Sequence, residues 1–270
     1  MVSARHDGRV MATSATVSRP RPGGCRRPLS QNGTFSPSLH GRKRAFDQDA
    51  HGARIARMSD SIPDEAQQLH EQGREAGSNG DPVRALDLFN QARLLAPDWP
   101  YPPYDMAFTY LLHDHVEEAE RWYATVDALA PRGFFTAKTA LDTIRRERRG
   151  ELFDGFSKAF ALLEWEPPDR RLAMLGDITA RFPGFAPAWK SLALLLDDDG
   201  ERLAALERGL AATPDDETYG MLVINKALVL GRRGQHAEAE DLLRALLADA
   251  RCTAGCESIA KATLSGSIGG

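Results

Sequence analysis

Cysteine is scarce in this sequence, and its scarcity excludes most cysteine-based chemistry. The 270 residues contain three cysteines, Cys25, Cys252 and Cys256. Two thiols four residues apart, with no histidine or further cysteine nearby, are too few for a zinc site. We therefore interpret all three as free thiols in a reducing compartment, and we expect a cytoplasmic location.

Long apolar runs are missing too. No stretch approaches the roughly 20 consecutive apolar residues that a membrane-spanning helix needs. The basic N-terminal residues are not followed by the apolar segment of a secretory signal peptide. We expect no association with a membrane.

The sequence motifs of common enzyme classes are also absent. The chain has no phosphate-binding G-x-x-x-x-G-K-[ST], no G-x-G-x-x-G after a strand and no G-x-S-x-G. Neither His70 nor His236 has an obvious serine or cysteine partner with which to form a nucleophile–base pair. The sequence therefore predicts a protein without enzymatic activity and without a cofactor.

One short histidine motif could bind a metal ion. His113, Asp114 and His115 are consecutive, and Glu117 and Glu118 follow closely. Imidazole and carboxylate groups are zinc ligands, but consecutive residues point in different directions. The same residues suit a solvated turn between two helices, which is the interpretation we favour, so we predict no metal site.

Charge is distributed unevenly along the chain. Residues 1–57 contain 11 Lys and Arg against 3 Asp and Glu, a net charge of +8. Of the totals of 34 and 38, this leaves 23 basic and 35 acidic residues in 58–270, a net charge of −12. The first segment also has few large apolar residues and no helical or strand periodicity, which predicts a disordered segment.

Two interpretations of residues 1–57 remain open. Met58 precedes SDSIPDEAQQL, in which Ser61 and Asp64 fit a helix-capping pattern, so the start codon could be wrongly assigned and the natural start lie near Met58. We favour this over the alternative, a basic arm that contacts nucleic acid or an acidic surface.

A fixed spacing of 34 residues connects two stretches of the chain. Ala85 corresponds to Ala119, Phe89 to Tyr123, and Pro97 to Pro131. Small residues allow two helices to approach closely, an aromatic ring fills the space between neighbouring pairs, and proline ends a helix. A period of this length is typical of a protein built from stacked repeats.

This pattern resembles the tetratricopeptide repeat (TPR), a helix–turn–helix unit of 34 residues. The resemblance implies an all-α fold, an α-α superhelix with a disordered N-terminal segment ahead of it. We expect a helical repeat domain over 61–265, with these parts: units at about 66–99 and 100–133, a degenerate unit at 136–185, units at 186–216 and 220–250, and a capping helix at 254–265.

The same resemblance implies a concave groove lined by the first helix of each unit. Carried onto this sequence, the groove positions of the family give five candidate partner-binding residues: Tyr101, Tyr104, Phe108, Lys190 and Asn225. Tyrosine supplies apolar area with a polar tip, which suits a binding surface. For the tyrosines, packing between repeats is the competing interpretation.

Lys190 and Asn225 also resemble part of the two-carboxylate clamp with which some members of the family grip chaperone C-termini. The remaining clamp positions hold Leu194, Gly255 and Ile259, which are neither amide nor basic residues. Most of the clamp is therefore missing, and we do not expect that specificity.

We therefore predict a non-enzymatic scaffold that binds a peptide or a partner helix in the groove of a TPR superhelix. The alternative is a nucleic-acid-associated protein that acts through the basic N-terminal arm. The net charge of −12 beyond residue 57 argues against nucleic acid, because it would repel phosphate. The identity of the protein partner and the oligomeric state stay open.

Overall fold

A computed structural model describes residues 62–266, and the disordered segment expected at 1–57 lies outside the described residues. Twelve α-helices run through the described part: α1 Asp64–Ser78, α2 Pro82–Leu95, α3 Tyr101–Leu112, α4 Val116–Leu129, α5 Ala137–Arg148, α6 Phe156–Leu162, α7 Pro168–Arg181, α8 Ala186–Ala193, α9 Asp199–Ala211, α10 Asp216–Arg232, α11 His236–Ala248 and α12 Ala254–Gly266. No strand occurs within 62–266, and the helices pack as antiparallel pairs in the TPR manner, which confirms the predicted all-α fold.

The first helix pair shows why the 34-residue pattern combines a glycine with an aromatic residue. A Cβ atom placed on Gly73 of α1 would lie 2.6 Å from the Phe89 ring of α2, so only glycine fits there. Ala85 is fully buried at the same contact. Asp81 caps α2 by accepting a hydrogen bond from the Arg84 N–H, which fixes where the second helix begins.

The second pair, α3 and α4, repeats this packing. Ala107, Ala119 and Val126 are fully buried, and the rings of Tyr104 and Tyr123 meet edge to face at 5.7 Å. Each aromatic residue thus fills the space beside the small residues, as the spacing of the sequence predicts.

The middle of the chain departs from the regular repeat. α5 is followed by the short α6 and a 3-10 turn, Leu163–Trp165, before α7. The buried carboxylate of Glu147, near the end of α5, accepts hydrogen bonds from the N–H groups of Gly155 at 2.6 Å and Ser157 at 2.7 Å. Glu147 therefore caps α6 from the preceding helix, where a short helix has no side-chain cap of its own.

The C-terminal helices share one apolar core. α8 and α9 pack as a pair, α10 and α11 as another, and α12 covers the end of α10 and α11. α10 begins at Asp216, four residues before the unit start expected at 220, because the side chain of Asp215 caps it by accepting from the N–H groups of Glu217 and Thr218.

The C-terminal helices also return to the middle of the chain. In a regular solenoid each repeat contacts only its neighbours. Here Glu217, at the start of α10, accepts hydrogen bonds from the N–H groups of Phe134 at 3.2 Å and Thr139 at 3.1 Å, about 80 residues earlier in the chain. The N–H of Ala254 donates to the carbonyl of Arg132 at 2.7 Å, beside this contact. We call this contact between 132–139, 215–218 and 252–257 the junction.

Candidate partner-binding surface

The candidate residues of α3 form a connected group of aromatic rings. Tyr101 lies in the first turn of α3, and its ring meets Phe134 at 4.8 Å, Phe135 at 5.4 Å and Trp99 at 5.7 Å. Tyr101, Phe135 and Trp99 are partly exposed, whereas Phe134 is buried. We call the rings of Trp99, Tyr101 and Phe135 the aromatic surface.

Tyr104 lies behind this surface, in the core. It is 9% exposed, and its hydroxyl is 2.9 Å from the hydroxyl of Thr136, the residue that precedes α5. Burial is the main cause that raises the pKa of Tyr104 above its ordinary value. The structure thus places Tyr104 between α3 and α5, where it holds the aromatic surface in position.

Phe108 lies two turns beyond Tyr101 on α3. Its ring meets that of Trp165 at 6.0 Å, and Trp165 is 40% exposed. The 3-10 turn after α6 therefore covers part of the position that the sequence assigns to the groove.

A polar contact joins α1 to α3 next to the aromatic surface. The Nε2 atom of His70 is 2.8 Å from the carboxylate of Asp105, which follows Tyr101 by one helical turn. The ring of His70 meets Trp99 at 4.9 Å, and the Nε atom of Arg74 is 3.9 Å from the same carboxylate. These contacts fix the first two units relative to each other.

The remaining two candidates lie on α8 and α10. Asn225 donates its side-chain N–H to the carbonyl of Met221 in its own helix at 2.8 Å, which leaves the amide oxygen as the group that could accept from a partner. Lys190 is partly exposed, and its positive charge acts on the carboxyl group of Glu217.

The junction connects the aromatic surface with the start of α10. The ring of Phe134 packs against the rings of Tyr101 and Tyr104, and its backbone N–H donates a hydrogen bond to Glu217. Thr139 donates its hydroxyl to Asp215 at 2.9 Å. The rings beside α3 and the start of α10 are therefore joined through Phe134 and Thr139.

Glu217 is the electrostatic centre of the junction. The pKa of its carboxyl group is raised from 4.5 to about 8, chiefly by burial; nearby Asp215 contributes to the rise, while the two backbone hydrogen bonds and Lys190 oppose it. Because the folded-state pKa is above the unfolded one, the folded protein holds an extra proton between these two pH values. The stability that this proton provides is present at low pH and lost as pH rises towards 8.

We therefore expect the free energy of unfolding to fall by up to roughly 1 kcal/mol per pH unit between about pH 5 and pH 8 because of this one group. Glu217→Gln keeps the size of the side chain but cannot ionise, so this contribution should be missing from the variant. Denaturant unfolding at a series of pH values measures both proteins. If the free energy of unfolding depends on pH equally in the two proteins, Glu217 is not the group whose raised pKa causes the dependence.

The histidine motif lies in a turn away from the junction, whereas the two C-terminal cysteines belong to the junction. Asp114 has a φ of 63° in the exposed turn between α3 and α4, and its carboxylate pairs with Lys158 at 2.7 Å. Among residues 62–266, no group of three or more His, Cys, Asp and Glu side chains could hold a metal ion. Cys252 and Cys256 are buried free thiols, and burial is the main cause that raises the pKa of Cys256 to about 11.

The sequence did not indicate three residues that matter here: Trp99, Phe135 and Glu217. Trp99 and Phe135 stand in the connections between helices, whereas the family's groove positions all lie on first helices. The run Asp215-Asp216-Glu217 signals a helix start, but it carries no sign of the distant backbone groups that Glu217 binds. Within the described part, no helix is both long enough and apolar enough to cross a membrane.

Neither a protein-family model nor a curated protein matches this chain. Among solved structures it is similar to TTC0263, a thermophilic TPR protein of Thermus thermophilus, with 22% identity and a TM-score of 0.32 over 74% of this chain and 98% of that one. It is also similar to YrrB, described as a TPR protein with an unusual peptide-binding site, with 13% identity and a TM-score of 0.30 over 82% of this chain and 96% of that one. A third similar structure is MamA 41-end from Desulfovibrio magneticus RS-1, with 17% identity and a TM-score of 0.32 over 68% of this chain and 93% of that one. Two of these three solved structures are described as TPR proteins, and each match covers more than two thirds of this chain.

Proposed function

We propose that this chain is a non-enzymatic scaffold that binds a partner protein through a peptide or a helix. The observation that carries the proposal is the aromatic surface, whose three partly exposed rings are held by a buried layer behind them. Aromatic residues are enriched at the centres of protein interfaces, because they bury a large area at little cost in side-chain entropy.

The five predicted residues have different roles in this proposal. Tyr101 contacts the partner directly, while Asn225 and Lys190 supply a hydrogen-bond acceptor and a positive charge farther along. Tyr104 supports the surface from within, since it is buried and its ring meets Phe135 at 5.4 Å, whereas Phe108 lies beside Trp165 and away from the surface.

Nucleic acid is not favoured as the partner. Residues 62–266 contain 34 acidic and 23 basic residues, a net charge of −11. A protein that binds the phosphate backbone normally presents the opposite charge.

Affinity capture with substituted chains tests the proposal. We expect Tyr101→Ala, and to a smaller extent Asn225→Ala, to reduce recovery of the specific partner, Tyr101→Ala by about tenfold. Asn225→Ala should leave the melting temperature nearly unchanged, whereas Tyr101→Ala removes a ring that packs against the buried Phe134 and should lower it, so capture is compared at a temperature at which every variant is folded.

Phe153→Ala is the matched control. Phe153 is an aromatic residue that is 45% exposed, but it lies in the connection between α5 and α6, beside Phe156 and Phe182. Loss of a similar aromatic area there should leave recovery unchanged. Equal recovery with Tyr101→Ala and with the control would overturn the proposal.

A further inference from the structure

We infer that the aromatic surface receives an arginine or lysine side chain, so that the partner segment is basic. The inference rests on the proposed function and names the chemical class of its partner. Three observations carry it: the partly exposed aromatic rings, the carboxylates near them and the charge of the first two units.

The rings of the aromatic surface can hold a cation. Trp99 and Tyr101 are 5.7 Å apart, Tyr101 and Phe135 are 5.4 Å apart, and all three are partly exposed. The face of an aromatic ring is negative, and tryptophan attracts a guanidinium or ammonium group most strongly. A long basic side chain also packs its methylene groups against such rings.

One carboxylate stands next to these rings in the sequence, and another lies near them on α3. Asp98 is exposed and precedes Trp99 directly. Asp105 lies one turn after Tyr101, and its side chain remains 24% exposed although it contacts His70 and, more distantly, Arg74. A cation on the aromatic surface would therefore find an accepting carboxylate within reach of its charged end.

The charge of the first two units favours the same partner. Residues 62–133 contain 13 acidic and 5 basic residues, a net charge of −8, whereas residues 134–266 contain 21 acidic and 18 basic residues, a net charge of −3. Among the described residues, four of the 13 carboxylates are in ion pairs: Asp105, Asp114, Glu120 and Asp127. The excess negative charge attracts a basic partner to this end of the molecule and repels an acidic one.

The positive charge of Lys190 is no argument for an acidic partner at the aromatic surface. It lies on α8, and its charge acts on Glu217 and on Cys256 of the junction. Lys138, three residues after Phe135, is 17% exposed and already pairs with Asp127 at 2.6 Å, and Arg132, three residues before Phe135, pairs with Glu257.

Fluorescence anisotropy with synthetic peptides tests the inference on the full chain. The probes are three labelled peptides of one length, in which glycine alternates with arginine, with citrulline or with glutamate. Citrulline has the shape of arginine without its charge. We expect the arginine peptide to bind at least about tenfold more tightly than the citrulline peptide, and the glutamate peptide to bind most weakly.

Two substitutions locate the binding. Asp98→Asn removes an exposed carboxylate at the aromatic surface, and Trp99→Leu removes a ring face; each should weaken arginine-peptide binding about threefold or more. Glu117→Gln removes the same charge from an exposed position on α4, and binding should then change less than about twofold. Because Asp98 is exposed, Asp98→Asn tests the site even if Trp99→Leu lowers stability.

Three outcomes would overturn the inference: equal binding of the arginine and citrulline peptides, tighter binding of the glutamate peptide, or equal effects of Asp98→Asn and Glu117→Gln. The last would reflect a general attraction to a negative protein. The proposed function fails separately, when Tyr101→Ala and Phe153→Ala leave partner capture equal. If Tyr101→Ala reduces capture of a partner whose binding segment is not basic, the proposed scaffold function stands and only the basic specificity is rejected.

Discussion

Replacing Glu217 with alanine should lower the free energy of unfolding by about 3 kcal/mol. The side chain is 6% exposed, and its two oxygens accept the N–H groups of Phe134 and Thr139. Alanine would leave both donors buried without an acceptor, and each such donor costs about 1–3 kcal/mol. The N-terminus of α5 would also lose the acceptor that caps it, since Thr136 provides no side-chain cap.

Glu257→Ala is the control for this prediction. Glu257 belongs to the same junction and pairs with Arg132 at 2.5 Å, but the arginine side chain is 53% exposed. Ion pairs open to solvent contribute less than about 1 kcal/mol, so the loss should be small. Urea unfolding of the two variants near pH 6 measures the difference. Similar losses in both would mean that the buried carboxyl group does not hold the junction together.

Gly220→Val should also lower the free energy of unfolding, by about 3 kcal/mol. A Cβ atom on Gly220 of α10 would lie 2.9 Å from the Cβ of Cys256, and closer still to its Sγ, on α12. Cβ is fixed to the backbone, so a change of rotamer cannot relieve the overlap and α12 has to move away from α10. Cys256 and Ala260, which are buried there, would then become accessible to solvent.

The same helix offers a matched control in Gly231→Val. No atom lies within 4 Å of a Cβ placed on Gly231, so valine meets no obstacle. Glycine and valine differ by less than about 0.5 kcal/mol in helix propensity, and stability should change by no more than that. Thermal unfolding together with the rate of thiol labelling at Cys256 distinguishes the two variants. Slow labelling in Gly220→Val would contradict displacement of α12.

The regular part of the fold could be predicted because its information is local. Gly73, Ala85 and Phe89 occupy one helix pair, and their types follow from how closely two helices approach. The degenerate region was harder, since α6 depends on Glu147 of the preceding helix for its cap.

The junction could not be predicted from a repeat pattern. It joins Glu217 to Phe134 and Thr139 across about 80 residues, and a stack of identical units has no place for such a contact. Of the groove candidates, Tyr101 follows from the family's register and stays a prediction. The cover of Trp165 over Phe108 depends on the irregular segment after α5 and is not encoded in that register.

Site-specific photo-crosslinking shows whether a partner protein binds on the aromatic surface. A photoreactive phenylalanine analogue would replace Tyr101 in one full-length chain and Phe153 in another, in the native cell. We expect a discrete crosslinked partner from position 101 and none from position 153. Crosslinking from position 153 alone, or the same products from both positions, would contradict the account.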